Sequence, residues 1–272
     1  MNYFTVTKYN DNLYQLKDKL GVLVTLVIGN EKALLFDTAY GIGDLKKEVE
    51  QITKLPLVVV NSHGHMDHSC GNYQFDEVLI NEKDFELCKK HNSLPWRRRN
   101  VASAKAISAL PEGFDEEKYL GCSFGNLKPL NYHDIIDLGN LELEVIDMRG
   151  HTQGSIGLYI KDWKLLLVGD ATCPFIWIFL DESTSVEEYI EMLENVLPLD
   201  FTDFLVGHGA RLFPKSKMYE FLKVAKEVDM EKAVKVSFNN FEEHNIYCYT
   251  EGVMYNQDHA GIVFDPNKLK RC

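Results

Sequence analysis

The sequence predicts an α/β sandwich folded as one domain over residues 1–272. Three observations predict it. Short β-rich runs open and close the chain. Between them, apolar runs of strand length alternate with amphipathic stretches at helical spacing. No repeat, low-complexity tract or linker rich in Pro, Gly or Ser divides the chain.

Each element has its own signal. Met1–Leu16 is polar and aromatic, without the basic and apolar regions of a secretory signal. Val22–Ile28 and Lys32–Phe36 read as strands joined by the turn dipeptide Gly29-Asn30. A polar, helix-like stretch runs from about Gly43 to Thr53, followed by the apolar run Leu55–Val60, which reads as a buried strand. Asn81–Leu120 reads as helix and loop, with Trp96-Arg97-Arg98-Arg99 inside it and a break at Pro111. Leu141–Ile146, Ser155–Ile160 and Trp163–Val168 are strands, the last two turning at Lys161-Asp162. Ser185–Leu197 is the clearest helix. Ser185 and Glu188 make a capping box, and Val186, Tyr189, Ile190, Leu193 and Val196 share one face. Phe204–Val206 is a short strand, Lys215–Val228 an amphipathic helix, and Val234–Phe264 returns to β patterning.

Composition narrows the function. With 45% hydrophobic residues the chain can bury a sizeable core. Its net charge of −12 disfavours long nucleic acids and anionic membranes, which need a basic face. A small-molecule substrate is expected, and homo-oligomerisation is left open. The cysteines Cys70, Cys88, Cys122, Cys173, Cys248 and Cys272 form no CxxC pair, so neither a zinc ribbon nor a disulfide framework is indicated. No run reaches the ~18 apolar residues of a membrane span. A cytoplasmic protein is the expectation.

The chemistry concentrates just after the Val58–Val60 run, in His63-Gly64-His65-Met66-Asp67-His68. Imidazoles and a carboxylate at this density suit zinc or iron. Further candidates follow other strands beside glycine: His151 in Gly150-His151-Thr152-Gln153-Gly154-Ser155, Asp170 in Gly169-Asp170, and His208 in Gly207-His208-Gly209. Strand ends are where α/β sheets place their sites. His91, His133, His244 and His259 have no motif around them and read as surface or structural.

This order, HxHxDH, then GHTxGS, then GD after an apolar strand, then GH, resembles the metallo-β-lactamase superfamily over about Val22–His208. The resemblance implies an αβ/βα four-layer sandwich and a binuclear hydrolase. It implies that His63, His65 and His151 hold one metal, that Asp67, His68 and His208 hold a second, and that Asp170 bridges them. Two Zn²⁺ are implied, with Mn²⁺ or Fe²⁺ as alternatives. A hydroxide bridging the metals would attack the substrate, with Asp67 and Asp170 as catalytic residues. Asp37, at the end of Leu34-Leu35-Phe36-Asp37, resembles a residue that orients a ligand; a plain turn Asp is the equal alternative.

Within the superfamily, true metallo-β-lactamases lack the bridging aspartate. Flavodiiron proteins usually replace the residue at His68. The lactonase subgroup usually has Tyr where this chain has Cys173, which reads as a packed small hydrophobe. Glyoxalase II-like enzymes often use a basic C-terminal patch, whereas here Lys268, Lys270 and Arg271 come only at the end. The expected activity is hydrolysis of a small ester, thioester, lactone or amide. The alternatives are a phosphodiesterase for a nucleotide-type substrate, an iron-dependent sulfur dioxygenase using one iron, and an inactive metal-binding scaffold. Trp96–Arg99 reads as a solvated helix face before an anion or aromatic site. The aromatic tail, Phe238, Phe241, Tyr247, Tyr249 and Tyr255, reads as β core before a cleft lining or subunit contact.

Overall fold

The computed structural model describes residues 2–239 and 241–270, so Arg271 and Cys272 lie outside the described residues. The chain forms two compact units, Met1–Val145 with Gly207–Ala210, and Ile146–Val206 with Arg211–Cys272.

The first unit opens with β1 (Thr5–Asn10), β2 (Leu13–Lys17), β3 (Leu23–Ile28) and β4 (Ala33–Phe36), an antiparallel meander. Gly29-Asn30 turns β3 into β4 as the sequence predicts. The helix α1 (Leu45–Ile52) then crosses over, starting at Asp44, whose side chain accepts from the Lys47 amide. It buries Leu45 and Val49 in a core with Val24, Leu26, Leu35 and Val59. Strand β5 (Leu57–Val60) returns parallel to β4, which is buried at all four positions as a strand covered on both faces must be. The one-turn helix α2 (Met66–Ser69) leads to β6 (Val78–Ile80). Helices α3 (Phe85–His91), α4 (Leu94–Ala106) and α5 (Glu116–Leu120) lead to β7 (Leu127–Pro129). Strands β1 to β7 lie side by side in chain order, β4 to β7 being parallel. The hairpin of β8 (Ile135–Asp137) and β9 (Glu142–Asp147) carries the chain onward. Because β4, β5 and β6 are parallel, the loops that hold Asp37, His63 and Asp84 all leave from carboxyl ends of strands, where α/β sheets place ligands.

The expected solvated face over Trp96–Arg99 holds only for Arg98. Arg97 is fully buried. Its guanidinium donates to the carbonyls of Asn92, Cys70 and Ser123 and to Asn92 Oδ1. It also lies over the rings of Tyr119 (4.9 Å) and Tyr73 (5.5 Å). A charge that far inside persists because its donors are bonded.

In the second unit β10 (Ile156–Ile160) and β11 (Leu165–Gly169) pair antiparallel. Strand β12 (Phe175–Ile178) precedes α6 (Val186–Val196), which starts with the expected capping box of Ser185 and Glu188. Next come β13 (Asp203–Val206), β14 (Phe213–Pro214) and α7 (Lys215–Lys226). The last strands are β15 (Val234–Val236), β16 (Ile246–Thr250) and β17 (Gly261–Phe264). One sheet runs β14-β13-β11-β10 and another β12-β17-β16-β15. Strands β11 and β13 are parallel, with Gly169 opposite Val206. The buried faces of α6 and α7 pack with Leu166, Val168, Phe204 and Ile262. Of the aromatic tail, Tyr247 and Tyr249 lie in β16, with Tyr249 buried, whereas Phe238 and Phe241 lie outside the strands and pack on Trp177 and Phe179. Only Tyr255 is strongly exposed among the five aromatics. Among the described residues, Cys70, Cys88, Cys122, Cys173 and Cys248 are free thiols, and no helix is long and apolar enough to cross a membrane.

Candidate metal centre

The histidine loop is gripped before it reaches its donors. Beyond β5, the Asn61 side chain and the Thr38 amide both donate to the His68 carbonyl, at 2.9 Å each. The Asn72 side chain donates to Asn61 Oδ1. Gly64 donates its amide to buried Asp84 at 2.8 Å. A Cβ at Gly64 would come within 2.8 Å of the Cys88 nitrogen and 2.9 Å of the Asp84 carbonyl, so only glycine lets this loop pass.

Asp37 governs the ring nitrogens. It is buried at the end of β4 with φ 74°, a left-handed conformation that Asp tolerates better than most residues. Its Oδ1 accepts from the Ser62 amide at 2.7 Å and its Oδ2 from the Ser62 hydroxyl at 2.9 Å. Oδ2 also pairs with His68 Nδ1 at 2.8 Å. His68 Nδ1–H therefore donates to the carboxylate, and in the neutral, metal-binding form of the ring Nε2 carries the lone pair. Ser62 has one proton, given to Asp37. Its oxygen accepts from His63 Nδ1 at 2.9 Å, leaving His63 Nε2 as a bare donor as well. That nitrogen lies 2.9 Å from His65 Nδ1. One aspartate thus turns two histidines, one of them through a serine.

Asp67, His68 and His208 form the second group. Asp67 Oδ2 lies 3.4 Å from His68 Nε2 and 3.2 Å from His208 Nε2. The donor atoms of the three lie within 4.8 Å of one another. Tetrahedral ligands on ~2.0–2.1 Å bonds stand about 3.4 Å apart, so this donor set fits a zinc-sized cation. Burial alone would raise the Asp67 pKa, but His68 and His208 overcome it and hold the carboxyl well below the usual range.

The remaining candidates belong to the second unit. His151 Nδ1 lies 2.9 Å from the Trp177 carbonyl of β12 and donates to it, so Nε2 is again the available donor. The Ser183 hydroxyl donates to the His151 carbonyl at 2.8 Å. Asp170 leaves β11 through Gly169, whose φ of 52° makes the turn. Cys173 is half-buried against the core, and burial, with the Asp170 charge, pushes its thiol up to about 12. At neutral pH it is protonated, consistent with a packed small hydrophobe.

The sequence profile of the metallo-beta-lactamase superfamily matches residues 18–208. The chain belongs to this superfamily. Human acyl-coenzyme A thioesterase MBLAC2 is 26% identical over 191 residues, covering 65% of this chain and 67% of the relative. Probable metallo-hydrolase YqgX of Bacillus subtilis is 24% identical over 154 residues, covering 53% and 63%. Among solved structures, a metallo-beta-lactamase family protein of Thermus thermophilus superposes with TM-score 0.55 at 17% identity, covering 81% of each chain. The sec-alkylsulfatase Pisa1 of Pseudomonas sp. gives 0.60 at 16%, covering 82% of this chain. This chain spans only 41% of that longer protein. The expected metallo-beta-lactamase fold is thereby borne out, and with it a place in a hydrolase superfamily whose members typically bind metal ions.

In this superfamily member the first unit gathers His63, His65, Asp67, His68 and His208, while in the second Asp170 directly follows β11 and His151 lies in the loop after β9. Sequence reasoning missed Ser62, Asp84, Asn61 and Asn72. Their one local signal is a polar pair, Asn61-Ser62, directly after an apolar strand. It also missed Asp18, a buried residue whose Oδ1 accepts from the amides of Leu20, Gly21 and Val22. Oδ2 has no hydrogen-bond partner among the described residues. Burial pushes the Asp18 pKa up to about 6, and the Asp67 charge adds to this. A raised folded-state pKa means that its contribution is full below the ordinary value of ~3.9 and is lost as pH rises through about 6. In metal-free protein, Asp18→Asn should therefore be more stable than the parent at pH 7 by ~1–3 kcal/mol and level with it near pH 4. Urea unfolding at both pH values measures this; a variant less stable at pH 7 would contradict the sign.

Proposed function

We propose that the chain is a two-metal hydrolase of small acyl substrates, thioesters first. His63, His65 and His151 would hold one Zn²⁺, and Asp67, His68 and His208 the other, with Asp170 bridging. Mn²⁺ or Fe²⁺ are the alternative ions. The observation that carries this reading is the meeting of Asp67 with the Nε2 atoms of His68 and His208 at cation-ligand spacing. The oriented tautomers of His63, His68 and His151 support it, because each presents the ring nitrogen that a metal takes. The thioester preference draws on the acyl-coenzyme A thioesterases of human and cattle, at 26% and 27% identity.

Two bound divalent cations would supply the acidification of a water near neutral pH and the polarisation of the scissile carbonyl. The chain supplies the rest. Asp67 would be a ligand of the second cation, and its carboxylate would also orient the attacking water by accepting a hydrogen bond from it. Asp37 and Ser62 keep the His63 and His68 rings from turning. Protonated Cys173 does not compete as nucleophile.

A substrate panel on metal-loaded protein tests the proposal: an acyl-coenzyme A thioester, an aryl ester, a lactone, a β-lactam and a bis-aryl phosphodiester. The thioester should turn over fastest. Fastest turnover of the phosphodiester would move the assignment to a nucleotide-type substrate. No turnover of any compound with two metals bound would count against acyl hydrolysis.

A further inference from the structure

A column of stacked side chains reaches from the helical segment to the metal centre. His91, the last residue of α3, is buried. Its ring stacks on His65 with centroids 4.9 Å apart and planes 25° apart. It stacks on Trp96 at 4.3 Å and 21°. Two near-parallel neighbours at that spacing require both faces of the imidazole. The Arg99 guanidinium lies 4.8 Å above the Trp96 ring. The order is Arg99, Trp96, His91, His65.

The base of the column is anchored through the backbone. Ser69 Oγ donates to the His65 carbonyl at 2.8 Å, and the Asn92 side chain donates to Ser69 Oγ at 3.0 Å. Buried Arg97 holds Asn92 by its carbonyl and its Oδ1. The α3–α4 junction therefore grips His65 twice, at the carbonyl through Asn92 and Ser69, and at the ring through His91. His63 and His68 are set differently. Ser62 and Asp37 hold those rings at their edges, whereas His91 lies against the face of His65.

We propose that His91 is a positioning residue. Its flat face sets the ring plane of His65 and so the direction of Nδ1 toward His63 Nε2, 2.9 Å away. Trp96, steadied by Arg99, holds His91 in place. The proposal rests on the reading of His65 as a metal ligand. Flatness is the property required, since a stacking neighbour restrains tilt through its face. A phenyl ring should do what the imidazole does, and a branched aliphatic side chain of similar bulk should not.

The test is a chelator-competition titration of stepwise Zn²⁺ affinities on the full chain, with Co²⁺ visible spectra beside it. The variants are His91→Phe, His91→Leu, Trp96→Ala and, as reference, His65→Ala. His91→Leu should weaken one of the two stepwise affinities about 10- to 100-fold, the range for losing a ligand's supporting group, and alter the Co²⁺ spectrum. His91→Phe should stay within about threefold of the parent, with its spectrum. Trp96→Ala should fall between them. Leu and Phe both fill the buried space, and circular dichroism in chelator checks that each variant is folded. Unchanged affinities in His91→Leu, or equal losses in His91→Phe and His91→Leu, would overturn the proposal. If His65→Ala itself leaves both affinities intact, the ligand reading of His65 fails instead.

Discussion

Asp170→Ala is expected to lower kcat/KM by about three orders of magnitude or more, with the fold retained. A thousandfold is ~4 kcal/mol of transition-state stabilisation, and a ligand shared by two cations controls both their spacing and their charge. Asp170 is half-buried and emerges from β11 through the left-handed Gly169, so its side chain belongs to a turn and not to the packed interior. Removing it should cost little stability. The comparison is steady-state kinetics of parent and variant on the best substrate of the panel, with circular dichroism and urea unfolding as folding controls. Parent-like turnover in a folded variant would sink the bridged two-metal mechanism.

Asp37→Ala should damage both stability and metal binding. Three donors converge on this carboxylate, the Ser62 amide, the Ser62 hydroxyl and His68 Nδ1, and all are buried. Alanine would leave them unpaired at a total cost of ~2–4 kcal/mol. It would also occupy a φ of 74°, which alanine adopts less readily than aspartate. Metal affinity should drop about 10- to 100-fold, because His68 loses its orienting acceptor and His63 loses the serine that Asp37 fixes. Asp37→Asn separates the two effects. It tolerates the backbone conformation and keeps an oxygen for Ser62, but its amide cannot accept from His68 at the same time. It should recover much of the stability and little of the affinity. Urea unfolding in chelator and Zn²⁺ competition titrations read the two quantities. An alanine variant with parent stability and affinity would remove Asp37 from the account.

What the sequence carried was local. The Leu55–Val60 run, the Ser185/Glu188 cap and the Gly29-Asn30 turn each depend on a few neighbouring residues, and each is found where expected. HxHxDH was legible for the same reason: a single loop concentrates the donors. Asp37 was readable as a ligand-orienting residue or as a turn, and its three buried hydrogen bonds favour the first. Arg97 was not legible. Its burial depends on Tyr73 and Tyr119, far away in the chain, and on carbonyls that sequence does not display. His91 lacks any motif because its role comes from packing between His65 and Trp96 across a helix junction. Strand β12 went unread because Phe175–Ile178 is four residues of continuous apolar sequence, too short to tell strand from core loop.

One chain should hold two cations, and counting them distinguishes a two-metal centre from a one-metal centre. Metal-free protein titrated with Zn²⁺, with bound metal measured by elemental analysis after gel filtration, should saturate at two equivalents per chain in the parent. Variants His65→Ala and His208→Ala should each retain about one, because they fall in different ligand groups. Saturation of the parent at one equivalent, or loss of both ions in either variant, would contradict a centre built from two ligand sets.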